Sequence, residues 1–352
     1  MNTTEHPTVA FTPIKSDQRI EALDVLRGLA IFGILFVNAA YFGLPMMEAV
    51  QPALTGTVGM NGQDADWNAT WFIKTFFEFK FISMFSMMFG IGAALQFDRA
   101  RRSGSRFDGF YCRRLLILLG FGMLHAVAFF YGDILTIYAV LGISLLAFCR
   151  LKTKILLPIV IGLMMIAALM STGMVLLESM APQMESTAAA DQATRTGWDA
   201  IQASGFQPQN PIWIDAETVA HQDGPYGDLL LFRVLAWAMG LISIILSYGW
   251  HILAMFALGV VIKRSAFFTP TDSGRRIRFW MMVFLPVALV VEGLTAWSYL
   301  SQTSSIWTTT ILSLVREFST VATMLGYAAV LVTLVQMGIA TRLFGSLAKV
   351  GR

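Results

Sequence analysis

The chain has 352 residues, of which 56% are hydrophobic and 13% charged, and its mean hydropathy is +0.64. Soluble domains carry about 25% charged residues, so a water-soluble globule is excluded, and a net charge of +3 gives no basis for nucleic-acid binding. With few long polar stretches, the composition predicts one all-α polytopic membrane domain over residues 19–352 and no separate soluble domain.

Residues 1–18 are polar, contain Pro7 and Pro13, and lack an apolar targeting core, which predicts a short disordered cytoplasmic tail. A helix needs about 20 apolar residues to cross a bilayer, and the first such run, 24–45, starts at Asp24 and ends at Pro45. Lys15, Arg19 and Arg27 flank its start, whereas Glu48, Asp64 and Asp66 follow it without a cation, so the N-terminus is expected inside. Segment two, 70–96, returns to a loop rich in Arg from Arg99 to Arg114, the firmest inside anchor. Segments three and four, 115–131 and 133–149, form a hairpin around Tyr131, Gly132 and Asp133, closed by Arg150, Lys152 and Lys154.

Segment five, 155–177, leads to an acidic loop, 178–228, expected outside. The apolar stretch 229–262 exceeds one crossing and reads as an interfacial piece around Arg233 followed by segment six at 240–262. Segment seven, 279–300, is followed by an interfacial stretch with Arg316 and Glu317, and segment eight, 319–338, returns to Arg342 and Lys349. Eight crossings therefore satisfy the basic loops, with no inverted repeat to suggest a transporter duplication. Cys112 and Cys149 both sit beside Arg residues on the expected cytoplasmic side, which argues against a disulfide.

Ionisable groups at membrane depth cost at least about 2.5 kcal/mol, which makes each a functional candidate. His125 is the leading one, within Gly120-Phe-Gly-Met-Leu-His, where the glycines allow close helix approach. Its imidazole suits general-base work, or else makes one interhelical hydrogen bond and nothing more. Asp133 either pairs with His125 across the hairpin or caps segment four, and the two roles are compatible.

Asp24 and Arg27 are placed to pair at the start of segment one, and Asn38 lies about three turns beyond Arg27 on the same face. Glu78 and Lys80 fall near the outer boundary, too close to it to demand a function, although Glu78 is placed to face the same outer cavity as His125. Tyr248 and His251 form a second candidate cluster. The basic loop, including Arg113 and Arg114, is an orientation device and a candidate site for anionic lipid or a phosphate-rich ligand. His-Glu-x-x-His, phosphate-loop, Cys-x-x-Cys and Gly-x-Ser-x-Gly patterns are absent, so neither a metal site nor a tightly bound cofactor is expected.

Arg19-Ile-Glu-Ala-Leu-Asp-Val-Leu-Arg-Gly-Leu-Ala-Ile, Phe85-Ser-Met-Met-Phe-Gly, Gly122-Met-Leu-His, Tyr131-Gly-Asp-Ile-Leu-Thr-Ile-Tyr-Ala, Trp250-His-Ile-Leu-Ala-Met-Phe-Ala-Leu-Gly and Val350-Gly-Arg resemble the motifs of a known family. Through them the chain resembles the YeiB-like bacterial inner-membrane proteins, the domain-of-unknown-function 418 group. In that family Gly-Arg is followed by a further helix, so the resemblance implies a chain lacking one or two helices at its C-terminus. The first-helix motif is also similar to that of membrane acyltransferases, which move an acyl group from cytosolic acyl-CoA to an outer acceptor.

That likeness implies acyl-CoA as co-substrate, met by Arg113 and Arg114, and an envelope glycan or lipid as acceptor. Asp24, Arg27, Asn38, Glu78, Tyr138 and His251 would then contact substrate. Where the O-acyltransferases place a catalytic His after the first-helix Arg, this chain has Asn38, so His125 with Asp133 would supply the base. A transporter using the same polar residues, or a non-catalytic envelope assembly protein, are the alternative expectations.

Overall fold

The computed structural model describes residues 21–43, 45–46, 65–180, 196–301, 304–339 and 341–351. The expected tail, the flanking Lys15 and Arg19, and Glu48 and Asp64 lie outside them. Helix α1, Glu21–Gly43, has Glu21 and Asp24 in its first turn, where carboxylates complement the helix dipole. It runs to Gly43, two residues ahead of Pro45.

Segment two divides into α2, Ala65–Phe76, and α3, Lys80–Arg102. The break falls at residues 77–79, where Phe79 adopts a left-handed φ of 64°. Segment three is α4, Phe107–Ala128, and segment four is a broken rod: α5, Leu135–Leu141, a 3₁₀ turn at Gly142–Ser144, and α6, Leu145–Phe148. Segment five is α7, Thr153–Met180.

The acidic 178–228 region is helical over much of its described length, with α8, Gly197–Ala203, and α9, Pro211–Gln222. Asn210 caps α9 by accepting from the Ile212 amide, and Pro211 takes the first helical position, where its missing N–H costs nothing. Ile201, Trp213 and Phe232 close a small apolar core there, separate from the main one.

The 229–262 stretch departs from the sequence expectation. It forms two helices meeting at Tyr248, α10 at Tyr226–Ser247 and α11 at Gly249–Arg264. The first is longer than the expected interfacial piece around Arg233; by length and composition it would suffice to cross a membrane, and it exposes Ile242 and Leu246. The second is shorter but almost wholly buried. Helix α12, Asp272–Ser301, matches segment seven.

Arg316 and Glu317 belong to the continuous α13, Ile306–Gln336, not to an interfacial stretch, because Ser305 caps that helix fourteen residues before the expected start at 319. An amphipathic α14, Thr341–Val350, follows and packs against α1.

Seven helical stretches among the described residues are long and apolar enough to span a bilayer, one of them running across the α2–α3 break, and Leu135–Phe148 is a shorter apolar stretch. The molecule is a polytopic helical membrane bundle. Its outer faces carry the apolar side chains that lipid tolerates and water does not, such as Leu116, Phe121 and Leu124 on α4 and Phe284, Val287 and Val290 on α12. Helices α3 and α11 run side by side in the centre. A β-carbon on Gly90 would lie 2.2 Å from the Phe256 carbonyl oxygen, and one on Gly259 would lie 2.1 Å from that of Met87. Without a hydrophobic drive inside lipid, such backbone contact is what holds helices together. At the basic end, Lys263 pairs with Asp98, and Arg264 donates to the Cys149 carbonyl at 2.7 Å.

Candidate functional site

Lys80 opens α3, and at about 1.5 Å of rise per residue it sits about 27 Å from Asp98 at the basic end. That places it at the far boundary of a hydrocarbon core about 30 Å thick. Its ammonium is fully buried and donates to Glu292 of α12 at 2.6 Å and to the Lys74 carbonyl at 2.8 Å.

Glu292 is equally buried, and its other oxygen accepts from the Ser319 and Thr320 hydroxyls of α13 at 2.8 and 2.7 Å. Arg316 donates to Glu78 at 2.6 Å and covers the Phe79 ring at 4.9 Å. Lys74 completes the group by donating to Glu78 at 2.9 Å.

Beside this lies a second string. His251 is fully buried; its Nε2 lies 2.7 Å from Ser83 Oγ, and its Nδ1 faces the Glu317 carboxylate. Tyr248 stacks on the imidazole at 4.7 Å between centroids and brings its hydroxyl to 3.4 Å from Ser83 Oγ. Lys74, Lys80 and Arg316 offset Glu78, Glu292 and Glu317, so the formal charges cancel. Cancellation is what allows so many ions at this depth, where an unpaired one would be expelled or neutralised.

The hairpin mouth forms a separate polar group. His125 Nδ1 lies 3.0 Å from Asp133 Oδ1, with the imidazole side chain 42% exposed and the carboxylate fully buried. Asp133 Oδ2 accepts from the Thr136 amide at 2.8 Å, so the same residue caps α5 and pairs with the histidine. Close approach depends on Gly122, whose β-carbon would lie 2.6 Å from the Thr136 nitrogen. Gly120, by contrast, faces open space. Buried Tyr131 and Thr136 hydroxyls nearby have no hydrogen-bond partner among the described residues.

The remaining sequence candidates fall elsewhere. Glu78 joins the Lys80 group and not His125, because Arg316 and Lys74 hold both its oxygens. Tyr138 is buried and bonded to Ser86 at 2.6 Å, next to the His251 string. Arg27 pairs with Asp24 at 3.2 Å and donates to the Gly351 carbonyl at 2.8 Å, joining the first-helix motif to the last residues of the chain. Asn38 is half-buried on α1. Arg113 is exposed, and half-buried Arg114 lies over the Phe89 ring at 5.4 Å. These residues do not converge on one centre.

Sequence reasoning missed Glu292 altogether and set Lys80, Arg316 and Glu317 aside as boundary groups. The signal for Glu292 was present: a carboxylate within the apolar run Met281–Leu294 needs a partner cation. No comparable signal marks Ser83, an ordinary residue among small and aromatic neighbours.

Residues 261–352 match the family model "Protein of unknown function (DUF418)". The chain is 26% identical over 321 residues to the "Uncharacterized protein YeiB" of Escherichia coli, covering 89% of this chain and 73% of that one. It is 44% identical over 148 residues to the "Uncharacterized protein YxaH" of Bacillus subtilis, covering 42% of this chain but only 37% of that one. A Bacillus acidopullulyticus protein, the "Uncharacterized 39.9 kDa protein in amylase 3'region", is 36% identical over 143 residues, 41% of this chain and 38% of that one. No solved structure matches.

Proposed function

We propose that this chain, which is similar to the YeiB-like membrane proteins, moves an acyl group from acyl-CoA to a glycan or lipid acceptor across a bacterial inner membrane. In this reading the N-terminus and the basic end, with Arg113 and Arg114, face the cytoplasm and the CoA phosphates. His125 serves as the base that deprotonates the acceptor hydroxyl at the opposite face.

The observation that carries the reading is the His125–Asp133 pair at 3.0 Å. The buried carboxylate, fixed by the Thr136 amide, holds the ring in the tautomer with its proton on Nδ1. Nε2 is thereby left as the acceptor atom on a partly exposed imidazole. The Leu-Asp-Val-Leu-Arg-Gly likeness to membrane acyltransferases supports it independently.

The test is incorporation of labelled acetate into envelope polymers in cells with and without the gene. Gene-dependent labelling that falls at least about a hundredfold in His125→Ala at unchanged protein abundance is the expected result. Unchanged labelling on deletion, with no binding of acyl-CoA to the purified protein, contradicts it. Substitution-tolerant His125 and Asp133 would point instead to an assembly role.

A transporter is the second reading, favoured by the break at Phe79 beside a charge-balanced buried network, since interrupted helices line substrate sites in many carriers. Vectorial flux of an intact solute in proteoliposomes separates it from the first.

A further inference from the structure

The buried string on α3, α11 and α13 has the parts of a nucleophilic relay. Ser83 Oγ lies 2.7 Å from His251 Nε2, and the Glu317 carboxylate faces Nδ1 of the same ring. With a proton on Nδ1 directed at Glu317, Nε2 is free to accept from the serine hydroxyl, the arrangement by which a histidine activates a serine. The Tyr248 hydroxyl, 3.4 Å from Ser83 Oγ, is placed to donate to an oxygen developing charge at an attacked carbonyl, and its ring fixes the imidazole plane by stacking.

Ser83 Oγ also lies 2.5 Å from the Phe79 carbonyl oxygen. That carbonyl already receives the Ser83 amide at 3.0 Å, so the hydroxyl can turn to His251 without leaving a buried acceptor empty. The groups facing the ring come from three neighbouring elements: Ser83 of α3, Tyr248 at the α10–α11 junction, and Glu317 of α13, with Arg316 next to it. Ser83 is fully buried, and four residues away the helix breaks at left-handed Phe79, whose ring packs against Tyr248 and under Arg316.

We infer that Ser83 is a covalent acyl carrier, loaded from a thioester through the Ser83–His251–Glu317 relay. The inference rests on the acyl-transfer reading above and deepens it. In loading, the Ser83 Oγ–carbon bond forms and the carbon–sulfur bond breaks; the serine proton passes to His251 Nε2, and the thiolate leaves with its electron pair. In discharge, the acceptor oxygen, its proton taken by His125 and released to solvent, attacks the ester. Ser83 Oγ then departs with the proton held on His251. The sum is one thioester and one hydroxyl giving one ester, one thiolate and one proton. Glu317 acts through His251 as a positioning residue.

The test uses the purified full chain in lipid nanodiscs with labelled acetyl-CoA, and mass spectrometry to locate the acetyl group. Acetyl on Ser83 is expected in the wild type and, with no acceptor present to discharge it, equally in His125→Ala. It should be lost in Ser83→Ala, formed about a hundredfold more slowly in His251→Gln, and retained in Ser86→Ala. Glu317→Gln should slow loading and Glu317→Asp restore it. Ser83→Cys guards against misfolding of the alanine variant, because it should carry the acetyl as a thioester cleaved by neutral hydroxylamine.

Absence of acetyl from position 83 in the wild type, His125→Ala and Ser83→Cys proteins alike overturns the inference. If Ser83→Ala still acylates envelope acceptors as the wild type does, the carrier falls and acyl transfer stands. If the wild type acylates nothing, both fall.

Discussion

Lys80 and Glu292 meet with neither side chain exposed, and each is the other's nearest opposite charge, with Arg316 a further 3.7 Å pair to the same Glu292 oxygen. Removing one member of such a pair leaves an uncompensated buried ion and costs about 3–5 kcal/mol, whereas replacing both with apolar groups is often neutral. Lys80→Met should therefore destabilise strongly, and Lys80→Met with Glu292→Leu should recover most of the loss, as read by thermal unfolding in detergent. A double variant no better than the single would mean that the Ser319 and Thr320 bonds to Glu292 carry the stability instead.

The two histidines differ in how legible they were. His125 and Asp133 stand out as polar residues at the ends of two consecutive apolar runs, and a hairpin brings such ends together. His251 was visible as a candidate, but its partners Ser83 and Glu317 lie 168 and 66 residues away in sequence. Only the packing of three non-consecutive helices makes them neighbours, and periodicity carries no information about that.

At the scale of elements, hydropathy located the membrane segments and charge located their ends, but neither located the breaks. The α2–α3 interruption falls in Phe77-Glu-Phe, which contains neither glycine nor proline, and is stabilised from outside by Arg316 over Phe79 and on Glu78. The α10–α11 junction at Tyr248 is similarly held from outside, by the Phe79 ring at 5.1 Å between centroids and the Ser83 hydroxyl at 3.4 Å. Tertiary contacts here override local preference.

The contact between α3 and α11 depends on absent side chains. Gly90→Leu should force the helices apart and lower the unfolding temperature by several degrees or abolish folding. Gly92→Ala, which meets nothing within 4 Å, should be nearly silent. Equal effects of the two would show that the helices are not held by backbone contact. The same reasoning separates Gly122, which brings α4 against Asp133 and Thr136, from Gly120 two residues earlier.

For the whole molecule, the polytopic bundle was readable because a bilayer demands long apolar helices and tolerates few alternatives. What composition could not convey is the division of labour along the bundle axis. The basic end is tied by Lys263–Asp98 and by Arg27 on Gly351, while both histidine–carboxylate pairs sit toward the opposite end. Helices α8 and α9, packed around Trp213, lie on that side too; Glu217 of α9 accepts from the Met46 amide beyond α1.

This polarity fits a donor on one face and an acceptor on the other, and it predicts a directional reaction. The most direct measurement reconstitutes the full chain in sealed vesicles in one orientation. Labelled acetyl-CoA is supplied at the basic face and an acceptor glycan at the opposite face. The account predicts label on the acceptor while acetyl-CoA stays on its own side, and loss of that label in His125→Ala. Passage of intact solute without acylation, or no label at all, would contradict it.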